Sequence, residues 1–352
     1  MGYREELKDI LINCRDILVG EKFYIWGAGN TTDLNYDVIR KEKLIPIAFI
    51  DNVKTGKFYG VDIVSPSDIM DSNINTILIS SAVPQRAQEI CKQIKSIDKS
   101  IRYYNIDEII LGRHVEEILE TYDLLTTESS KRTYYEIIKA RIDGTVFPNI
   151  SVFNDQYFHF PQFRIRNPKE IFVDCGAFVG DTVEQYLFVR SGVFNRIVAI
   201  EPDKRNIELL NRRVDRLRKE WCTEGMSIDV IQGSIGKNEE EVYINDSIES
   251  ISTKISKSDQ GNKVKMYTID NLFKNTGIDF IKADIEGYEM DMLVGGAESI
   301  KAHHPILAIC IYHKTSDLYE IPLYINRLNK KYKFEIAHHY YNFNETVLYA
   351  YE

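Results

Sequence analysis

At 352 residues, and roughly 150 per domain, the chain is long enough for two or three domains with cores of their own, which excludes a single small module. Hydrophobic residues make up 44% and charged residues 28%, with nine prolines, a composition that excludes bulk disorder and a collagen-like chain. Its 44 Lys and Arg against 53 Asp and Glu give a net charge of −9, so it lacks the overall positive field of a nonspecific nucleic-acid or anionic-membrane binder.

After a short amphipathic opening helix, the apolar run Phe23-Tyr24-Ile25-Trp26 leads into Gly27-Ala28-Gly29 and a helical stretch to about Lys43: strand, tight turn, helix. A second apolar run, Ile45 to Ile50, ends at Asp51-Asn52. Further strands are expected at Val61–Val64, Thr76–Ser80 and Ile101–Asn105, with a helix from about Pro84 to Ile94. Strands alternating with helices imply a parallel sheet, so residues 1–105 read as a small Rossmann-like domain. From Asp107 to Gly144 the spacing turns helical, with Ile110, Val115, Ile118, Leu119 and Tyr122 on one face, then Tyr134, Tyr135, Ile138 and Ile142 on another, and Gly144 ending the second helix. Residues 106–165 therefore read as a helical connector. Its aromatic tail (Phe147, Phe153, Tyr157, Phe158, Phe160) is expected to pack, with Tyr157, His159 and Phe160 also able to reach an active site.

Residues 166–352 repeat the alternation more strongly. Strands are expected at Ile171–Val173, Arg196–Ile200, Ile228–Ile231, Phe280–Ala283, Ile306–Ile311, Phe334–Ala337 and Val347–Tyr351, with helices at about Val183–Arg190, Lys204–Glu220, Glu289–Gly296 and Leu318–Asn329. The short polar loop between the last two strands predicts an antiparallel hairpin on a seven-stranded, mostly parallel sheet.

The richest segment is the strand-turn-helix Ile171 to Thr182, containing Asp174, Gly176, Ala177, Gly180, Asp181 and Thr182. Open α/β sheets bind ligands at the carboxyl ends of their strands, and glycines let a ligand approach the backbone. A phosphate loop would end in Gly-Lys-Ser/Thr, whereas Asp174 and Asp181 would repel a pyrophosphate, so the ligand should be neutral or cationic there. The next strand ends in Glu201-Pro202-Asp203, where a carboxylate suits ribose hydroxyls. An adenosine-bearing cofactor with positive charge in place of phosphates is S-adenosyl-L-methionine.

Together, Asp174-Cys-Gly-Ala-Phe-Val-Gly-Asp, Glu201-Pro202, Ile281-Lys282-Ala-Asp284-Ile-Glu286-Gly287 and Ile311-Tyr-His313-Lys resemble the FkbM-type S-adenosylmethionine-dependent methyltransferases over about residues 165–352. The resemblance implies a methyltransferase fold, a cofactor set extending to Ser234 and Ile235, and O-methylation of a hydroxyl on a sugar or secondary metabolite. Similar N-terminal domains accompany enzymes of surface-polysaccharide and nucleotide-sugar metabolism, which by analogy suggests a sugar-bearing substrate.

A period of two is expected to put Lys282, Asp284 and Glu286 on one side near the ligand edge, either as a Lys282–Asp284 or Lys282–Glu286 ion pair or in a substrate or catalytic role. Two carboxylates without a matching set of further ligands make a poor divalent site, so no metal is expected. His313, following the run Ile306–Ile311, is the first choice for the base that removes a hydroxyl proton; a histidine closing the strand structurally is the other reading. His338 and His339 would add imidazoles, and Tyr157 a phenol, on the substrate side; His303 and His304 belong to the far edge. The five cysteines (Cys14, Cys91, Cys175, Cys222, Cys310) are odd in number with no CxxC pair, so reduced packing thiols are expected.

In the N-terminal domain, Gly27, Gly29 and Asn30 with Asp51 imitate a dinucleotide fingerprint, although Thr32 replaces its third glycine. This supports the alternative readings of a nucleotide-sugar or NAD-dependent enzyme, or a noncatalytic sugar-sensing module. The polar stretch Asn245 to Gly261 reads as a loop setting substrate choice. With no signal-like start and no apolar run of membrane length, the expected setting is cytoplasmic, with a small-molecule partner, no nucleic acid, no membrane span, and homo-oligomerisation left open.

Overall fold

The computed structural model describes residues 2–18, 20–69, 73–145, 152, 155–165, 167–223, 226–245, 254–256 and 261–352. They divide into two compact units. The first comprises Met1–Val152 with Tyr312–Leu323 and His338–Thr346, and the second comprises Phe153–Ile311, Tyr324–Ala337 and Val347–Glu352. Phe147, Phe153 and most of the 245–261 stretch lie outside the described residues.

The first unit runs α1 (Tyr3–Arg15), β1 (Tyr24–Trp26), α2 (Asn30–Lys41), β2 (Phe49–Ile50), β3 (Gly56–Phe58), β4 (Val61–Val64), β5 (Thr76–Ile79), α3 (Pro84–Ile97), β6 (Arg102–Asn105), α4 (Ile106–Arg113), α5 (Val115–Leu124) and α6 (Glu128–Asp143). Its sheet has the order β3-β4-β2-β1-β5-β6, parallel except for the β3–β4 pair. Successive strand side chains alternate between faces. Ile25 joins Phe49 and Leu78 against Val38 and Ile39 of α2 and Ile106, Ile109 and Ile110 of α4. Its neighbour Trp26 joins Ile50, Ile77 and Ile79 against Ala87, Ile90 and Ile94 of α3. A doubly wound sheet follows, as the alternation predicts. The connector differs in detail: it forms three helices, α4 and α5 breaking at His114, and belongs to the same unit as the sheet. Thr127 caps α6 by accepting from the Ser130 amide, and Gly144 ends it in the left-handed region.

The second half runs β7 (Ile171–Cys175), α7 (Asp181–Arg190), β8 (Arg196–Glu201), α8 (Lys204–Glu220), β9 (Ser227–Gln232), β10 (Ser234–Ile235), β11 (Glu240–Asn245), β12 (Lys254–Ser256), β13 (Asn262–Tyr267), α9 (Ile269–Leu272), β14 (Phe280–Ala283), α10 (Glu289–Gly295), α11 (Ala297–His303), β15 (Ile306–Cys310), α12 (Asp317–Leu328), β16 (Lys333–His338) and β17 (Thr346–Tyr351). The seven-stranded order is β16-β17-β15-β14-β7-β8-β9, with β17 antiparallel to β15. Every expected strand is present, because strands buried on both faces read as continuous apolar runs. A second sheet, β10-β13-β11-β12, was not expected. The expected packing role of Phe158 is met: it is fully buried, 5.8 Å from the Phe280 ring and 6.2 Å from the Tyr186 ring. Among the described residues no helix is long and apolar enough to cross a membrane.

Candidate active site

The carboxyl ends of β7, β8 and β14 gather the second unit's polar groups. Lys282 and Asp174 are register partners in adjacent parallel strands, so their side chains leave the sheet together. Lys282 Nζ lies 2.9 Å from Asp174 Oδ1 and donates to the Gly176 carbonyl at 2.8 Å, with both side chains buried. Burial opposes the ammonium, yet Asp174 and then Asp284 hold the Lys282 pKa above its ordinary value; burial pushes the Asp174 carboxyl up, against the pull of Lys282. The close ion pair of Lys282 is with Asp174, a partner the spacing did not suggest, and Asp284 adds to its field. The assumed period of two also stops short: β14 ends at Ala283, and the chain turns through Glu286 (φ +57°) and Gly287 (φ +94°), which removes Glu286 from the strand's alternation.

Gly176 sits at φ +82°, and a Cβ there would lie 1.9 Å from the Asp284 carbonyl oxygen. Its missing side chain serves the close approach of two loops, reinforced by the Asp284 amide donating to the Cys175 carbonyl at 3.1 Å. Asp284 is half-buried, and its Oδ2 accepts from the Tyr157 phenol at 2.9 Å. Tyr157 adopts φ +67°, with its amide donating to the Tyr349 hydroxyl at 3.0 Å and its ring 5.1 Å from Lys282 Nζ. The structure thus joins Asp174, Lys282, Asp284 and Tyr157 in one polar chain.

Glu201 closes β8. One oxygen accepts from the Phe178 amide at 3.0 Å; the other accepts from the Asp203 amide at 3.0 Å and Asn206 Nδ2 at 3.1 Å. Burial raises its pKa, opposed by these donors. A carboxylate offers about four acceptor positions, so capacity remains for a ligand hydroxyl. Pro202 follows it, leading to the Asp203 cap of α8. Ala177 is buried, its amide and that of Gly176 both donating to the Ile200 carbonyl at 3.0 Å. Gly180 caps α7, whose first residue Asp181 is exposed and whose second, Thr182, is buried. Ser234 and Ile235 are both buried, and Ser234 Oγ has no hydrogen-bond partner. Three contributors escaped the sequence reading. Asn206 lies one turn into α8; Tyr349 is an apolar-strand residue; Glu289, fully buried, accepts from the Ile285 amide at 2.8 Å and fixes the turn before α10. Only Glu289 had a sequence signal, an acidic residue opening a helix.

Residues 174–335 match the family described as the methyltransferase FkbM domain. This part of the chain is an FkbM methyltransferase domain. A crystal structure of methyltransferase FkbM from Methylobacillus flagellatus KT is similar over 98% of this chain and 93% of that one, at 20% identity and a TM-score of 0.57, which shows a shared fold. Aeropyrum pernix fibrillarin, solved with S-adenosyl-L-methionine, aligns with 52% of this chain and 67% of its own at 12% identity and a TM-score of 0.33, too slight a likeness to argue from. No curated protein matches the chain. Residues 19–106 match the C2185-like N-terminal family.

His313, His338 and His339 fall in the first unit. His313 is buried three residues beyond β15, its ring centroid 4.0 Å from that of Tyr312. His338 has no exposed surface, its Nδ1 is 2.8 Å from Thr346 Oγ1, and burial pushes its pKa down to about 4, so its ring packs inside the first unit. His339 is half-buried, with its amide donating to the Glu345 carbonyl at 2.9 Å. Cys175 is a packing thiol whose pKa burial raises.

In the N-terminal loop the fingerprint residues also have partners within the chain. Asp51 Oδ2 accepts from the Ala28 amide at 3.1 Å, and Oδ1 from the Val53 and Lys54 amides at 3.0 Å each. Burial opposes its charge, but these amides hold the carboxyl below its usual range. Like Glu201, it takes three donors and so keeps room for a further one. Gly27, at φ +121°, would place a Cβ 2.6 Å from the Ser80 carbonyl oxygen, so it too serves packing; Gly29 faces open space and Asn30 begins α2.

Proposed function

We propose that this protein is an S-adenosyl-L-methionine-dependent methyltransferase of the FkbM type, acting on a hydroxyl of a sugar or glycan-related small molecule. The observation that carries the reading is the acidic carboxyl edge of the seven-stranded sheet, where Asp174, Asp181, Glu201 and Asp284 stand at the strand ends and in the turns after them. Such an edge suits a ligand with ammonium and sulfonium groups and repels phosphates. The buried, unpartnered Ser234 Oγ and the spare acceptor positions of Glu201 fit an adenosine. Glu201 would receive ribose hydroxyls, Ser234 and Ile235 the base, and the turn from Gly176 to Thr182 the amino-acid end. When bound, the cofactor supplies an electrophilic methyl group.

The chain's residues then orient the acceptor and take its proton. An imidazole is the side chain best matched to taking the hydroxyl proton, and His313 is the candidate for it. Lys282 holds the β7 and β14 loops through Asp174 and the Gly176 carbonyl, acting as a positioning residue, and Tyr157 fixes the Asp284 carboxylate. Alignment supplies most of the rate, with no covalent intermediate. Calorimetric titration with S-adenosylmethionine and S-adenosylhomocysteine tests this. Wild type should bind both saturably, and Glu201→Gln should bind at least tenfold more weakly while remaining folded. A folded wild type that binds neither removes the reading and leaves the noncatalytic module.

A further inference from the structure

Two segments of the C-terminal half, Tyr312–Leu323 and His338–Thr346, belong to the first unit, where polar side chains of the N-terminal domain hold their backbones. Arg141 of α6 is 5% exposed, deep for a guanidinium. Its Nη1 donates to Asp107 Oδ2 at 3.1 Å, and its Nη2 to the Tyr312 carbonyl at 2.9 Å and the Phe343 carbonyl at 3.4 Å. One side chain thus bridges both segments, with its guanidinium carbon 5.4 Å from the centre of the Phe343 ring. Asp107 of α4 accepts on its other oxygen from the Thr315 hydroxyl at 2.5 Å. Thr315, fully buried, donates its amide to Asn35 Oδ1 of α2 at 2.8 Å. The Tyr134 phenol donates to the Leu318 carbonyl at 3.0 Å, and the His114 ring stacks on that of Tyr319 at 4.6 Å.

We infer that Arg141, Asp107 and Asn35 form a polar brace, built within the first unit, that fixes the turn bearing His313. Carbonyls and amides in irregular turns have no ladder to fix them, and a buried charged network supplies directional partners in its place. Arg141 is suited to this because one planar fork reaches a carboxylate and two carbonyls; a lysine in its place keeps the charge but not the geometry. What the held histidine does rests on the methyltransferase reading. The brace itself does not.

The test uses the full chain. In Thr315→Val and Arg141→Lys, amide hydrogen exchange across 312–323 and 338–346 should rise tenfold or more, with β7 and β8 unchanged. His313 should react with diethyl pyrocarbonate at least fivefold faster, against exposed His303 as the internal reference. Thr315→Ser, which keeps the hydroxyl that Asp107 accepts from, should restore wild-type exchange and labelling, a rescue that loss of packing alone would not give. If Arg141→Lys fails to fold, the two Thr315 variants decide. Exchange and labelling within twofold of wild type in folded Thr315→Val overturn the brace. Wild type that fails to bind S-adenosylhomocysteine overturns only the methyltransferase reading, because exchange still decides the brace.

Discussion

Replacing Lys282 by methionine isolates the buried pair at the centre of the site. Two unit charges 2.9 Å apart attract by about 6 kcal/mol at an effective dielectric constant of about 20, while desolvating each ion costs several kcal/mol, so the intact pair is close to neutral for stability. Removing one partner is different. Lys282→Met leaves Asp174, with no exposed surface, uncompensated, and should cost about 3–5 kcal/mol; Asp174→Asn should cost a similar amount by stranding the ammonium. In the double variant neither charge remains, so its loss should fall below the sum of the singles by at least about 2 kcal/mol. Urea unfolding measures this, with Trp221 reporting the second unit in a Trp26→Phe background, since Trp26 lies in the first. If Lys282→Met loses less than about 1 kcal/mol, or the two losses simply add, the pair is not the buried structural link described above.

Gly176→Ala should destabilise by about 3 kcal/mol or more and abolish S-adenosylhomocysteine binding, since it adds left-handed strain to a contact with the Asp284 carbonyl; Gly29→Ala, in open space, should change stability by less than about 1 kcal/mol, both read by urea unfolding and calorimetry. His338 binds its proton less tightly in the folded chain, at about 4, than the ordinary 6.5, so its stabilisation is complete above pH 6.5 and is lost as pH falls toward 4. The acid limb of a stability–pH curve should therefore flatten by up to about 3 kcal/mol in His338→Gln relative to wild type. Asp51→Ala removes the carboxylate that accepts from three amides and should cost about 1–3 kcal/mol by urea unfolding; a saturable rise of the wild-type melting temperature with NAD, NADP or UDP-glucose would establish an N-terminal nucleotide site, and no shift with any of them would remove that reading.

Most of the architecture was legible because burial leaves a mark on composition: β5 reads Thr-Ile-Leu-Ile and β15 Ile-Leu-Ala-Ile-Cys, each an uninterrupted run between turn residues. The alternation in β13, where Val264 and Met266 are buried between exposed Lys263 and Lys265, was equally present, and the small sheet it belongs to could have been read from it. The positions of Gly176, Glu201 and Asp284 at strand ends were likewise available from the chain alone. Which group each of them serves was not. Lys282 and Asp174 are more than a hundred residues apart, and only the register of β14 on β7 makes them neighbours. Gly176 reads as a place for a ligand, and its missing Cβ also makes room for the Asp284 carbonyl; Asp51 reads as a ribose acceptor, and its carboxylate also accepts from three amides. Periodicity encodes which face of an element is buried, whereas the partner of a polar group is fixed by strand register and loop closure, so the sequence determined the layers and the tertiary structure decided the bonds between them.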